Sequence, residues 1–351
     1  MRKFILPIYY ILIPVIFILI GWFANVAWNL PRNEKNIISE IKPRPLDKYS
    51  IENLSSVSVK TSQIEIGRVI KDYPTFTSYE FSLNFDPTLT NGPKKKVSGL
   101  INIPKSSGPF PIIVMFRGYV DQKQYVIGTG TQHAGEFFAQ NEFITIAPDF
   151  LGYGDSDSEA GDIFESRFQT YTTALTLIKS VEALKTRSLK VGSNYINVDT
   201  QNVHIWAHSN GGQIALAVLE ITGKAYPTVL WAPNSAKFPY SILYYLDEAG
   251  DEGKLVITKL ADFMGDYDVT KYSIRSYLDK INPNTKMQIH HGLVDDAVPI
   301  VWTDSLVKRL KDLKLNISYL KYPGADHNLT PSWQKAVENS LTFFKSSTVV
   351  E

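Results

Sequence analysis

Cysteine is absent from all 351 residues. That excludes disulfides, thiolate metal sites and cysteine nucleophiles together, and it leaves the redox compartment open. An excess of either charge is missing too: 36 basic against 35 acidic side chains give a formal net charge of +1. With no basic surplus to neutralise a phosphate backbone, nucleic acid is not expected as a partner. No internal repeat is visible. The length is sufficient for one large domain or two small ones with a sizeable core.

Long apolar runs are also scarce, with one exception at the start. Residues 4–28 carry no charge and follow Arg2 and Lys3. As a helix this run spans roughly 37 Å, enough for a bilayer core. Pro7 and Pro14 are tolerated in membrane helices, and Trp22 and Trp28 suit the far interface. A cleaved signal peptide is the rival reading, but no good small-x-small pair follows Gly21. A buried soluble helix is the plainest alternative. The expectation is a retained transmembrane anchor over residues 1–29, with Arg2 and Lys3 cytoplasmic and the rest of the chain extracytoplasmic. Residues 30–58, with Pro31, Pro43 and Pro45 and no clear period, read as a tether with room for one short helix.

From residue 59 to 104 three β-prone pieces follow one another, and N-G-P-K-K-K marks a turn between the last two. The triplet Lys94, Lys95, Lys96 reads as a solvated hairpin tip. Strands then alternate with helices. Strands are expected at 111–116, 143–148, 203–207, 228–231, 286–291 and 317–322, and helices at 168–187, 214–219, 305–313 and 332–345. This is the pattern of an α/β fold with a mostly parallel sheet flanked by helices, occupying residues 59–351. Residues 233–283 interrupt it with a helical, aromatic-rich stretch, read as a cap over the strand ends.

The stretch V-H-I-W-A-H-S-N-G-G-Q-I-A-L at residues 203–216 joins a buried strand to a helix through Ser209. Small residues two before and two after the serine, Ala207 and Gly211, let strand and helix approach closely. Such a turn lifts the hydroxyl above the sheet edge and aims the first helix amides, beginning with Asn210, at a developing oxyanion. A serine needs a base, and the base needs an acid to hold its tautomer. Of six histidines, His204 reads as a satisfied strand residue. His208 points away from the turn, His133 has no evident partner, and His290 and His291 end a strand in a backbone role. His327, in Y-P-G-A-D-H-N-L, occupies the loop after the last strand, where such loops gather beside the serine turn. The acid comes from the preceding loop, H-H-G-L-V-D-D-A-V-P, as Asp295 or Asp296.

A-H-S-N-G-G, H-G-L-V-D-D-A-V-P and P-G-A-D-H resemble the three catalytic blocks of the prolyl oligopeptidase-type branch of the α/β-hydrolases. Dienelactone hydrolase-like and acyl-peptide-cleaving enzymes are similar. The resemblance covers residues 97–345 and implies the order Ser, Asp, His, with Asp295, the first aspartate of its block, as the acid. It also implies two oxyanion donors, the Asn210 N–H and the Tyr119 backbone or hydroxyl in F-R-G-Y. Arg117 is either a clamp for a substrate carboxylate or part of a structural ion pair. Asp149, Asp155 and Asp157 read as residues that fix loop backbone rather than as a metal site, and no cofactor is implied. The roughly 65 residues between Trp28 and Lys94 are too few for the β-propeller that filters substrates in prolyl oligopeptidases proper. Gating therefore falls to the cap, whose Phe238, Tyr240, Tyr244, Tyr245, Phe263, Tyr267 and Tyr272 either line a pocket or pack a small lid. Tyr244 and Phe263 are the expected substrate contacts. The activity implied is that of a membrane-anchored serine hydrolase cleaving short peptides through an acyl-enzyme. A carboxylic ester hydrolase is the alternative, and a non-catalytic binding module the third reading.

Overall fold

β-Prone runs separated by short polar segments turn back on themselves, and the first part of the chain does so. The computed structural model describes residues 42–349 except 187, 247–250 and 252. Strands β1 (Glu65–Asp72), β2 (Phe76–Phe85) and β3 (Lys95–Pro104) form an antiparallel meander. The following strands are β4 (Phe110–Phe116), β5 (Ile144–Pro148), the small hairpin β6 (Leu189–Val191) and β7 (Asn194–Ile196), and β8 (Val198–His208). The last are β9 (Thr228–Trp231), β10 (Lys286–Gly292) and β11 (Asn316–Tyr322). Nine of these make one sheet in the order β1-β2-β3-β5-β4-β8-β9-β10-β11. Pairing is antiparallel as far as β3–β5 and parallel from β5 to β11.

Eight α-helices are described: α1 (Ile51–Ser56), α2 (Gln132–Gln140), α3 (Ile163–Glu182), α4 (Gly211–Thr222), α5 (Tyr240–Leu243), α6 (Lys254–Asp266), α7 (Ile300–Asp312) and α8 (Trp333–Ser347). Alternation along β8 divides the core. Val203, Ile205 and Ala207 pack in the same cluster as Leu175 and Ile178 of α3 and Ala215 and Leu219 of α4. Trp206 faces the other way, into a cluster with Phe138 of α2 and Phe344 of α8. The sheet is thus covered on both faces, as continuous apolar strands such as P-I-I-V-M-F require.

Several boundaries differ from the expectation: β8 begins at Val198 rather than 203 and α7 at Ile300 rather than 305, and two further shifts have a visible cause. The helix expected from residue 168 begins at Ile163, because the Asp162 carboxylate accepts from the N–H groups of Phe164 and Glu165 and caps it. The tether expected over 30–58 does not extend that far. The compact unit begins at Arg44, and Ser50 caps α1 by accepting from Asn53 N–H. Tyr49, Ile51 and Leu54 are buried in the α3–α4 core cluster, so residues 44–58 belong to the folded body. The anchor expected over residues 1–29 lies outside the described residues. Among the described residues no helix is long and apolar enough to cross a membrane.

Among the described residues between β9 and β10, where the cap was expected, are α5, α6 and the 3-10 turns Val269–Tyr272, Ile274–Ser276 and Leu278–Lys280. Their aromatic side chains pack inward. Phe263 lies 4.8 Å from Phe164 and 5.0 Å from Tyr272, ring centre to ring centre, and Phe238 lies 6.1 Å from Phe168.

Candidate active site

The turn between β8 and α4 holds Ser209 at φ 56°, a left-handed conformation that a side chain adopts only when its surroundings enforce it. The enforcement is visible. Ser209 N–H donates to Trp231 O, and its carbonyl accepts from Gly212 and Asn234 N–H, each at 2.9 Å. A Cβ at Gly211 would lie 2.1 Å from Phe116 O, so only glycine lets α4 start this close to β4. A Cβ at Gly118 would lie 2.8 Å from Ser209 Cβ, which brings the loop after β4 directly against the serine.

Parallel pairing of β10 with β11 carries the two following loops to the same edge of the sheet. There His327 Nδ1 donates to Asp295 Oδ2 at 2.9 Å. Asp295 Oδ1 accepts from the N–H groups of Ala297 and Val298 at 2.9 and 2.8 Å. His291 Nε2 lies 3.1 Å from the same Oδ2 that His327 meets. Burial alone would raise the Asp295 carboxyl, but the hydrogen bonds from His291, His327 and Val298 N–H outweigh it and hold the group well below the usual carboxylate range. It is therefore an anion at neutral pH. Asp296, its neighbour, is exposed. With Nδ1 carrying the proton toward Asp295, His327 Nε2 is left as the basic nitrogen. Ser209 Oγ makes no hydrogen bond among the described residues, and nucleophile–base contacts are commonly loose until a substrate engages them.

Two histidines stand closer to this arrangement than their sequence context implied. His208 does not point away: its Nε2 donates to the His327 carbonyl at 3.0 Å, and the two rings lie 4.7 Å apart. Burial first, and His327 second, lower its pKa to about 4, so it is neutral at neutral pH. His291 contacts Asp295 rather than serving through its backbone alone. The strand alternation that places residues 204, 206 and 208 on one face was the available signal for His208. The remaining histidines are engaged elsewhere. His133 stacks on Trp333 with ring centres 3.7 Å apart, His204 pairs with Thr348, and His290 bridges Tyr322 and Gln288.

Neither the Asn210 nor the Tyr119 backbone N–H has an acceptor among the described residues. The Tyr119 side chain is 75% exposed. Arg117 is not a substrate clamp. It is only 6% exposed, and its guanidinium donates to the carbonyls of Gly118 and Asp149 at 2.9 and 2.8 Å. The Tyr153 ring lies 4.0 Å beneath it, so the group braces the loops after β4 and β5. Phe263 is likewise not a substrate contact: it is 3% exposed and enclosed by Phe164, Phe168, Phe238, Tyr267 and Tyr272. Tyr244 keeps a partly exposed ring edge-on to Trp302 at 4.9 Å. Asp149 accepts from Ser98 and Tyr125 hydroxyls, Asp157 from Lys96 N–H, and Asp155 pairs with Arg68.

A strained serine at a strand-to-helix turn, on a mostly parallel sheet whose last two loops supply a paired carboxylate and imidazole, places the chain among the serine hydrolases of α/β-hydrolase fold. Residues 132–348 match the model of the prolyl oligopeptidase family, and the chain belongs to that family. Solved structures of similar fold include acetyl xylan esterase 1 from Thermoanaerobacterium sp. JW/SL YS485. It is 17% identical with a TM-score of 0.56, over 88% of this chain and 95% of that one. The acetyl xylan esterase of Paenibacillus sp. R4 is 15% identical with a TM-score of 0.56, over 83% and 91%. A puromycin-hydrolyzing peptidase of Mycobacterium tuberculosis is 16% identical with a TM-score of 0.53, over 83% of this chain but 40% of the peptidase. Among curated proteins none matches the sequence.

Proposed function

We propose that the protein hydrolyses small carboxylic esters through an acyl-enzyme on Ser209. His327 Nε2 takes the hydroxyl proton as Ser209 attacks the carbonyl carbon and delivers it to the leaving oxygen. Asp295 holds the His327 tautomer and stabilises the imidazolium, and water then releases the acid. The open N–H groups of Asn210 and Tyr119 receive the oxyanion. The observation that carries this reading is the 2.9 Å Asp295–His327 bond at the sheet edge that also holds the strained Ser209.

Ester substrates are favoured over peptides by architecture. The shared fold takes in 95% and 91% of the two acetyl xylan esterases but 40% of the mycobacterial peptidase. Short-peptide cleavage is the second reading, supported by membership of the prolyl oligopeptidase family. Residues 1–29 serve as a membrane anchor that holds the hydrolase domain, with its insertion at 233–283, outside the cytoplasm.

The test sets p-nitrophenyl esters of rising chain length against aminoacyl and prolyl p-nitroanilides, beside labelling with a fluorophosphonate. Ester turnover and labelling are expected, with kcat lowered at least about 10⁴-fold in Ser209→Ala. Anilide cleavage alone would turn the assignment to a peptidase. Unlabelled Ser209 in folded protein would end the acyl-enzyme reading.

A further inference from the structure

On the sheet face covered by α2 and α8 lies a cavity of about 670 Å³. It reaches His208 and Asn328, which are the chain neighbours of Ser209 and His327. Its aromatic walls are Trp206, Trp231 and Trp333, with His133 stacked on the last. Polar groups with open capacity surround these rings. The Asn328 side-chain amide, the Thr330 hydroxyl and the His133 ring nitrogens make no hydrogen bond among the described residues. Glu136 engages Oε1 with Tyr73 and Gln132 and has Oε2 free. The buried Trp206 indole N–H is also without a partner among the described residues. No lysine or arginine lines the cavity.

These features narrow the occupant. An anion would meet a carboxylate and no cation. A bare hydrocarbon ring would strip water from several donors and acceptors and return nothing. A ring with apolar C–H faces and hydroxyls around its edge satisfies both the indoles and the polar groups. We propose that the cavity is a subsite for a neutral, polyhydroxylated pyranose ring that forms the alcohol part of the ester. This rests on the ester reading above. His327 protonates the leaving oxygen, so the leaving group lies on its side, and Asn328 and Thr330 belong to the same loop. In the reaction the Ser209 Oγ–acyl bond forms and the acyl–sugar oxygen bond breaks. The serine proton passes through His327 to the sugar oxygen, and water later cleaves the acyl-enzyme to a carboxylic acid.

Binding is tested on Ser209→Ala protein by following tryptophan fluorescence during titration with a methyl pyranoside, p-cresol and tetramethylammonium. Saturable binding of the pyranoside is expected, weakened about tenfold in a Trp333→Ala background. Because Trp333 is partly buried, the exposed Asn328→Ala provides a second variant, and a melting curve checks the fold of each. Tighter binding of p-cresol, tighter binding of tetramethylammonium, or no saturable response to the pyranoside overturns the proposal. Turnover is tested on otherwise intact enzyme with a monoacetylated methyl pyranoside and with ethyl acetate. The ratio of their kcat/KM values is expected to favour the sugar ester and to fall about tenfold in Trp333→Ala or Asn328→Ala. Turnover of ethyl acetate with no preference for the sugar ester overturns the subsite and leaves the ester reading standing. If neither ester is cleaved the ester reading fails, and the titration still decides what the cavity binds.

Discussion

A histidine whose Nε2 donates to a backbone carbonyl is fixed in both tautomer and place, and His208 does this to the carbonyl of His327. The contact is to the His327 backbone rather than to its ring. Replacing it lets the imidazole drift, and a misplacement of about 1 Å costs on the order of a hundredfold in rate. With ethyl acetate, which has no sugar part to reach the cavity, His208→Ala is therefore expected to lower kcat by about 10- to 100-fold with little change in KM. His208→Gln, which keeps an N–H donor, should recover part of the loss. Equal kcat in the alanine variant would show that His327 is held by Asp295 alone. At this scale the sequence showed where a residue lies wherever it sits in a contiguous block, as Ser209 does on its strand-to-helix turn and Asp295 and His327 do on their paired loops. It misread His208 and His291, whose partners lie on a loop distant in the chain or turn back within their own. It also misplaced Phe263 and Arg117, because an aromatic or cationic side chain reads the same whether it lines a pocket or braces a loop.

Helix α4 carries the serine turn at one end and a buried acid near the other. Glu220 is 2% exposed, and neither carboxyl oxygen has a partner among the described residues. Burial, with a smaller push from Asp279, raises its pKa well above the ordinary 4.5. The folded state therefore binds a proton that the unfolded state releases. This group's contribution is most favourable below about pH 4.5 and is lost as pH rises from there through the folded-state value. Glu220→Gln removes the penalty, and its melting temperature should exceed that of the unmutated protein by a few degrees near neutral pH. The advantage should vanish near pH 4. An equal gain at both pH values would mean that packing, not ionisation, is responsible. The strands and helices themselves were legible to within a few residues wherever apolar runs were long. Those missed were short or capped: the β6–β7 hairpin is too brief to show a period, and the Asp162 cap extends α3 by five residues beyond its apolar pattern.

For the whole molecule, where the folded body begins follows from burial rather than composition. Proline and mixed charge made residues 30–58 look like spacer, yet Tyr49, Ile51 and Leu54 lie in the same core cluster as α3 and α4. Burying Ile51 and Leu54 is worth about 1.5–3 kcal/mol each, a large part of a typical folding free energy. A chain beginning at Arg44 is expected to leave the membrane fraction and to melt as the full-length protein does. One beginning at Val59 should melt well below it or fail to fold. If the Arg44 form still sediments with membranes, residues 1–29 are not the attachment. If the Val59 form melts normally, the buried trio contributes less than its packing indicates.

The turn at Ser209 owes its shape to Gly118, Gly211 and the backbone around it rather than to the hydroxyl it presents. A thiol fits the same backbone, whereas the branched Cβ of threonine conflicts with a φ of 56°. In a chain without cysteine, Ser209→Cys would introduce the molecule's sole thiol at this turn. A thiol-reactive dye, crosslinker or tethered fragment would then have a single address, and this edge of the sheet could be tagged without first clearing the rest of the surface.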